Sequence, residues 1–214
     1  MSVSKELSTK ERLFYAAIKV FAGKGFKEAT VREICQLAEA GNINSINYYF
    51  GSKEKLYNAI LDALFAAHQM HLAQYPKADT PLERLKTYIV SYCAMLYGGG
   101  EVARDMIQIF TAEMARPSRM LNKIVEKHTR PEAMAMIETV RELLGPDVPE
   151  DAVRDTWVSI GSQILYYSYS WPVFSAVFPD HPGMAAYHEK LAEHIFRFSL
   201  GGIEAVKRHY ARST

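Results

Sequence analysis

At 214 residues, 49% hydrophobic and 23% charged, the chain can bury a sizeable core and falls outside the disordered and low-complexity classes. A net charge of +1 is weak evidence for nucleic-acid binding, so an argument for that function rests on a motif and not on a basic patch. Cys35 and Cys93 are the only cysteines, and the N-terminal MSVSKELSTKE lacks the apolar run of a secretory signal, which points to a cytoplasmic protein with reduced thiols.

In chain order, Ser8 and Glu11 have the spacing of a capping box, and Leu13, Ala16, Ala17, Val20 and Phe21 form the inner stripe of a first helix ending near Gly23 to Gly25. Thr30 and Glu33 repeat the capping spacing and open a second helix with Val31, Ile34, Leu37 and Ala38 inward. Gly41 and Asn42 tolerate a turn or left-handed backbone, and Asn42 can cap the next helix. From Ile43 to Phe50 a short third helix places Ile43, Ile46 and Phe50 on one face. The opposite face carries Asn44, Ser45, Asn47, Tyr48 and Tyr49, which are amides, hydroxyls and phenols without formal charge. Asn pairs bidentately with an adenine edge, Ser pairs with several bases, and Tyr hydroxyls reach phosphate oxygens. Ser52 caps a fourth helix whose first turn carries Lys53, so backbone amides, the positive helix end and an ammonium converge as a phosphate clamp. This succession is the pattern of a helix-turn-helix.

The run from Thr9 to about Leu61 resembles the N-terminal DNA-binding domain of the TetR family of bacterial transcriptional regulators. VFAGKGFKEATVREI (Val20 to Ile34), NYYFGSKEKLY (Asn47 to Tyr57) and the spacing between them carry the resemblance. It implies that Thr30 and Arg32 touch phosphates, that Asn44, Ser45 and Asn47 face bases, and that Tyr48, Tyr49 and Lys53 lie nearer the backbone. Asn42 is counted with them. The chain departs from the family at Ala40, where the turn glycine usually stands, and at Asn47, where a tyrosine is common. NYYFGSK and EMARPS (Glu113 to Ser118) are similar to the branch with a CecR-like C-terminal domain.

The fourth helix continues through Leu56, Ile60, Leu64 and Ala67 toward Tyr75, and Pro76 to Pro81 is the first break. Further helices are predicted at about 82–97, 102–115, 119–144 with strain near Pro131, 151–170 and 184–209. No segment alternates as a strand, so the expected fold is all-α: a helix-turn-helix domain over 1–57 and a larger ligand-binding and dimerisation domain over 58–214. The uncharged run from Thr156 to Pro179 reaches the length of a membrane span, but its serines and Pro172 read it as buried protein interior, and no membrane partner is expected.

Small residues sit at close-approach positions on the last two long helices: Ser159, Gly161 and Ser162 on one, Gly201, Gly202 and Ala205 on the other. They suit a four-helix homodimer interface, which is also the family's usual mode. A twofold dimer presents two reader helices to a palindromic operator. Tyr92, Met95, Met106, Phe110, Met114, Trp157, Gln163, Tyr166, Tyr167 and Trp171 are candidate linings of a pocket for a small apolar or aromatic effector; each is equally a core residue type.

No HExxH, paired-Cys motif, phosphate-cradling glycine loop or nucleophile elbow occurs, and neither a cofactor nor a metal is expected. His68 and His71, at i and i+3, are the only pair with metal-ligand spacing. The sequence therefore reads as a ligand-responsive repressor rather than an enzyme. The alternative is a helical small-molecule-binding or catalytic protein whose N-terminal motif docks a protein. A polar reader face without an apolar anchor disfavours it.

Overall fold

The structure is a computed structural model that describes residues 7–211. The first residues of the segment read for a signal sequence lie outside them. In chain order the helices are α1 (Thr9–Glu28), α2 (Val31–Leu37), α3 (Ser45–Phe50), α4 (Lys53–Leu72), α5 (Pro81–Tyr97), α6 (Glu101–Ala115), α7 (Leu121–Ile124), α8 (Arg130–Leu144), α9 (Glu150–Val177) and α10 (Met184–Ala211). A π-helical turn, Val125–Thr129, joins α7 to α8. No strand occurs among the described residues, and the fold is all-α.

Contacts divide the chain into two compact units, one built from the described residues up to 66 with 100–122, the other from 67–99 with the described residues from 123 on. The expected boundary after residue 57 cuts elsewhere, because α6 packs on α1 and joins the N-terminal helices. In the first unit Leu13, Ala17, Ile18 and Phe21 of α1, Ile34 and Cys35 of α2, Ile46 of α3 and Leu56, Ile60 and Leu61 of α4 are buried. Tyr57 is wedged edge-on against Phe21 and Phe26, each ring pair 5.0 Å apart. Its hydroxyl donates to Oε1 of buried Glu113 at 2.9 Å, and the other Glu113 oxygen accepts from the Ser118 backbone at 3.1 Å. The EMARPS run is therefore a buried carboxylate satisfied by a loop amide and a phenol.

Three inward positions expected from periodicity face solvent. Leu37 and Ile43 are both 52% exposed, and Ala67 is exposed while His68 beside it is buried. On α2, Cys35 takes the inward place assigned to Leu37, so Ile34, Cys35 and Ala38 form the buried arc. Ile43 lies in the turn before α3 rather than on its face.

The turn closes differently from expectation. The Ala40 amide bonds the Cys35 carbonyl at 2.9 Å and the Glu39 amide bonds Gln36 at 3.1 Å, the pair of bonds that defines a Schellman cap. The left-handed residue it requires is Glu39, with φ of 50°, and not Gly41. A side chain that would prefer another conformation thus occupies the position glycine usually fills.

The second unit packs α5 against α8 and α10, α8 against α9, and α9 against α10. A capping box of Thr80 and Glu83 with Pro81 in the first turn starts α5. Leu85, Ile89 and Cys93 of α5, Val140 and Leu144 of α8, Val153, Ile160 and Ile164 of α9 and Leu191 and Ile195 of α10 form the core. Burial pushes the Cys93 thiol up to about 12, so it is an inert core thiol.

The strain expected near Pro131 is taken up by the π-helical turn, whose last bond runs from the Arg130 amide to the Val125 carbonyl, five residues back. The wider turn ends beside the proline that has no amide to continue the ladder. The helix expected to stop at Ser170 runs on to Val177 with Pro172 inside it. Nor is Thr156 to Pro179 buried interior: Val158, Tyr166, Tyr169, Val173 and Val177 are 47–66% exposed along one face of α9. No helix among the described residues is long and apolar enough to cross a membrane.

Because Glu39 carries the left-handed turn, Glu39→Gly is expected to raise stability by about 0.5–1 kcal/mol, after the entropy glycine adds to the unfolded chain. Gly41→Ala meets open space and a permissive backbone, so it is expected to be neutral or mildly stabilising. Denaturant midpoints of the two variants check this; destabilisation by Glu39→Gly would overturn the assignment of the turn.

Candidate functional site

The helix-turn-helix is fastened at three points. At the start of α2, the Thr30 hydroxyl donates to Glu33 Oε2 at 2.9 Å and accepts from the Glu33 amide at 3.2 Å. Lys24 donates to the same carboxylate at 2.5 Å, and Lys24 first, then Thr30, holds Glu33 down to about 2. At the end of α2, Arg12 of α1 donates to the Ala38 carbonyl at 3.1 Å, a cation on a helix C-terminus. The third point is Lys53. Its Nζ donates to the Phe26 and Ala29 carbonyls at 2.8 and 2.7 Å and sits 4.5 Å from the centre of the Phe26 ring. Burial holds its pKa below the ordinary lysine value.

These bonds hold Lys53, expected as a phosphate clamp, against the chain itself and leave it one donor. Two of its three N–H donors are committed to the end of α1. Lys55, exposed one residue beyond Glu54, is the uncommitted ammonium in the first turn of α4, where Ser52 caps the Lys55 amide at 3.0 Å as predicted. Thr30 and Asn42 are also engaged internally: Thr30 in the capping box, Asn42 through Oδ1, which accepts the Asn44 amide at 2.8 Å and shapes the approach to α3. A cap by Asn42 on α3 itself is not formed, since α3 starts at Ser45 behind Asn44.

What remains outward is a polar face. Asn44, Asn47 and Tyr48 of this segment are exposed, Tyr48 by 82%, while Ile46 anchors the other side in the core. Tyr49 is exposed and packs edge-on against Tyr48 at 4.8 Å; Ser45 is half-buried. Arg32 projects from α2, exposed and without a hydrogen-bond partner among the described residues. Amide, phenol and guanidinium groups on two adjoining short helices can read base edges and hold phosphates.

In the second unit a cavity of about 390 Å³ opens between the last turns of α4, the 73–80 loop, α5 and α8. Leu72, Tyr75, Ala78, Thr87, Tyr88 and Met136 are among the residues of its wall. Its polar floor is Glu132, which accepts from the Tyr92 hydroxyl and from the Gln69 amide and stands 3.9 Å from Nε2 of buried His68. Burial raises the Tyr92 phenol, pushes Tyr88 up to about 12 and lowers His68, so all three are neutral near pH 7.

Of the expected lining only Tyr92 borders this cavity. Met106, Phe110 and Met114 belong to α6 in the first unit, where Phe110 packs edge-on against Phe65 at 5.3 Å. Met95 and Trp157 are half-buried in the second unit and do not line the cavity, although the Trp157 side chain acts on Tyr88, which does. Tyr167 and Trp171 join Phe174, His181 and Tyr187 in a separate aromatic cluster late in α9, and Tyr166 is exposed. Gln163 folds back onto the Ser159 carbonyl at 3.2 Å. Bulk and aromaticity chose the expected set, whereas the cavity follows from the bend after α4. Tyr88 and Tyr92, at i and i+4 with His68 and Tyr75, were its legible trace. No cluster of three or more His, Cys, Asp or Glu with metal-binding geometry occurs among the described residues, and His71 instead meets the Tyr75 hydroxyl at 3.2 Å.

Ser159, Ser162, Gly201, Gly202 and Ala205 are exposed and Gly161 is half-buried. Ser159, Gly202 and Ala205 edge a groove of about 510 Å³ between α9 and α10, with Gln163 and Phe198 beside them.

Residues 13–60 match the family model described as bacterial regulatory proteins, tetR family, and residues 81–203, more than half of the chain, match that of the C-terminal domain of the HTH-type transcriptional dual regulator CecR. The chain is 29% identical over 174 residues to the HTH-type transcriptional repressor KstR2 of Mycolicibacterium smegmatis, covering 73% of this chain and 80% of that one. It is 41% identical over 59 residues to the HTH-type transcriptional repressor NicS of Pseudomonas putida, a match spanning 28% of this chain and only 27% of NicS. Among solved structures, the ketosteroid transcriptional regulator KstR2 of Mycobacterium tuberculosis superposes with a TM-score of 0.64 at 20% identity, covering 94% and 98% of the two chains. A transcriptional regulator from Rhodococcus sp. Rha1 gives 0.62 at 19%, covering 92% and 96%. The chain belongs to the TetR family of DNA-binding transcriptional regulators, in the group with a CecR-type C-terminal domain. Its relatives are regulators rather than enzymes.

The two lysines of α4 separate by measurement. Lys53→Ala leaves two carbonyls unpaired and is expected to cost roughly 1–3 kcal/mol of stability. Lys55→Ala is expected to leave the melting temperature unchanged and to lower the salt slope of DNA binding by about 1. The reverse pattern would restore Lys53 as the phosphate contact.

Proposed function

We propose that this regulator binds a palindromic operator as a homodimer in the cytoplasm, represses from it, and is released by a small apolar or aromatic effector held in the second unit. The observation that carries the DNA half of this reading is the exposed polar face of α3. Asn44, Ser45 and Asn47 are assigned to base edges, Tyr48, Tyr49 and Arg32 to the backbone, and Thr30, Asn42 and Lys53 to the geometry of that face, with Lys55 supplying charge.

The homodimer assignment rests on α9 and α10. Val158, Ser162, Tyr166, Tyr169, Val173 and Val177 recur at intervals of three and four residues along α9 and are exposed, as is Phe198 of α10. A Cβ added at Gly161, Gly201 or Gly202 would meet nothing within 4 Å in the chain itself. Small size there answers no packing need of one copy, and it suits the close approach of a second. The CecR-type C-terminal domain and the usual homodimers of the family support the same assignment.

The effector assignment rests on the 390 Å³ cavity, which has the size and mainly apolar lining of a small-molecule site and touches the last turns of α4, the helix that begins beside the reader. The KstR2 structure comes from a protein described as a ketosteroid regulator, which supports a bulky apolar guest as the class. Release requires only that the effector bind one arrangement of α4 more tightly than another.

Selection from a random duplex library is expected to return a palindrome, with Asn44→Ala and Asn47→Ala each relaxing preference at one position per half-site. Val173→Glu is expected to turn the dimer into a folded monomer in sedimentation analysis and to weaken DNA binding more than tenfold. A single unsymmetrical site, or a dimer unaffected by Val173→Glu, would refute the reading.

A further inference from the structure

We propose that the effector carries a positive charge, an ammonium group on an apolar body, and that Glu132 is its counter-ion. This rests on the reading of the 390 Å³ cavity as the effector site and adds the chemical class of its guest.

Glu132 is a carboxylate with 19% of its side chain exposed, set in the floor of a mainly apolar cavity. Its hydrogen-bond donors, the Tyr92 hydroxyl and the Gln69 amide, are neutral. Among the described residues, the one nitrogen beside it able to become cationic is His68 Nε2, 3.9 Å away, and that imidazole is 2% exposed and kept neutral by burial. The other His68 nitrogen, Nδ1, is buried without a partner among the described residues. The remaining cations of the lining are elsewhere engaged or outside. Arg84 spends its guanidinium on the Glu142 carboxylate at 2.6 Å, the Thr139 hydroxyl at 3.2 Å and the Asp79 carbonyl at 3.3 Å, and Lys77 lies exposed on the loop. The cavity floor therefore holds a negative charge that no cation among the described residues neutralises.

Burying such a carboxylate further under a neutral guest removes water without supplying a counter-charge, which is unfavourable, and an anionic guest is worse. A cationic guest reverses the balance. It gains the Coulomb attraction of Glu132 in a partly desolvated site. It also meets ring faces: the His68 and Tyr92 rings lie 4.5 Å apart and those of Tyr88 and Tyr92 4.6 Å apart, with Tyr75 on the wall. A carboxylate flanked by aromatic rings is the environment in which alkylammonium groups bind.

The test is calorimetric titration of the full chain with three probes sharing one phenylalkyl body: phenylbutyl-trimethylammonium, phenylbutanol and phenylpentanoate. The ammonium is expected to bind at least tenfold more tightly than the alcohol, and the acid most weakly. Glu132→Gln should bring the ammonium to the level of the alcohol while changing the alcohol by no more than about twofold. Tyr92→Phe, which keeps the carboxylate and removes a neutral donor, should preserve the preference even where Glu132→Gln fails to fold. Leu72→Trp, filling the cavity, should abolish binding of all three. Equal or tighter binding of the alcohol or the acid, or an ammonium preference that survives Glu132→Gln, overturns the charge assignment and leaves the cavity as the effector site. Binding by none of the probes, or binding that survives Leu72→Trp, overturns the cavity reading as well.

Discussion

The reader depends on an ammonium group that closes one helix while opening another. Lys53 stands in the first turn of α4, yet its Nζ bonds the Phe26 and Ala29 carbonyls where α1 ends. Those carbonyls lie at the end of α1, Phe26 in its last turn and Ala29 at its C-cap, where a helix leaves its carbonyls without amide partners. A partly desolvated cation over the Phe26 ring supplies what the backbone cannot, and it links α4 to α1 beside the packing of Tyr57 on Phe21 and Phe26. Since Arg12 and Lys24 of α1 hold the two ends of α2, both helices flanking the turn are referred to α1. With that frame set by charge-assisted hydrogen bonds, α3 needs only Ile46 in the core and leaves its other side for recognition.

The same economy explains why a chain with a net charge of +1 can be a DNA-binding regulator. Several of its N-terminal cations are held internally, Lys24 by the Glu33 carboxylate and Arg12 and Lys53 by backbone carbonyls, so fewer side chains are free to reach phosphates. Specificity then rests on neutral amides and phenols, and affinity on two copies acting together, which is the role proposed for the exposed stripe of α9.

In the second unit charge and aromaticity meet in a different way. Glu132 is surrounded by neutral hydrogen-bond donors and rings, and Arg84 is engaged by Glu142, Thr139 and the Asp79 carbonyl, so the cavity floor is acidic. Local pairing, and not composition, decides the sign of a site. Glu113 illustrates the opposite outcome: it too is buried, but a phenol and a backbone amide close its hydrogen bonds where it serves the packing of Tyr57.

The elements were legible where the chain speaks locally. The capping boxes of Ser8 and Thr30, the cap at Ser52, the polar side of α3 and the all-helical class all depend on residues a few positions apart, and the family resemblance comes from the same run. The structure decided what depends on distant partners. Lys53 is a fastener because α1 happens to end beside it, and Glu39 takes the left-handed turn because the cap is set by Cys35 and Gln36. Met106, Phe110 and Met114 belong to the N-terminal unit because α6 packs on α1. The cavity forms where a bend after α4 brings His68 and Tyr75 to Tyr92 and Glu132. Periodicity tells which side of a helix is apolar, but not which neighbour will cover it or whether a polar group will find its partner at home. That is why the sequence by itself determined the motif and its class, and only the tertiary structure decided which of its charges are free.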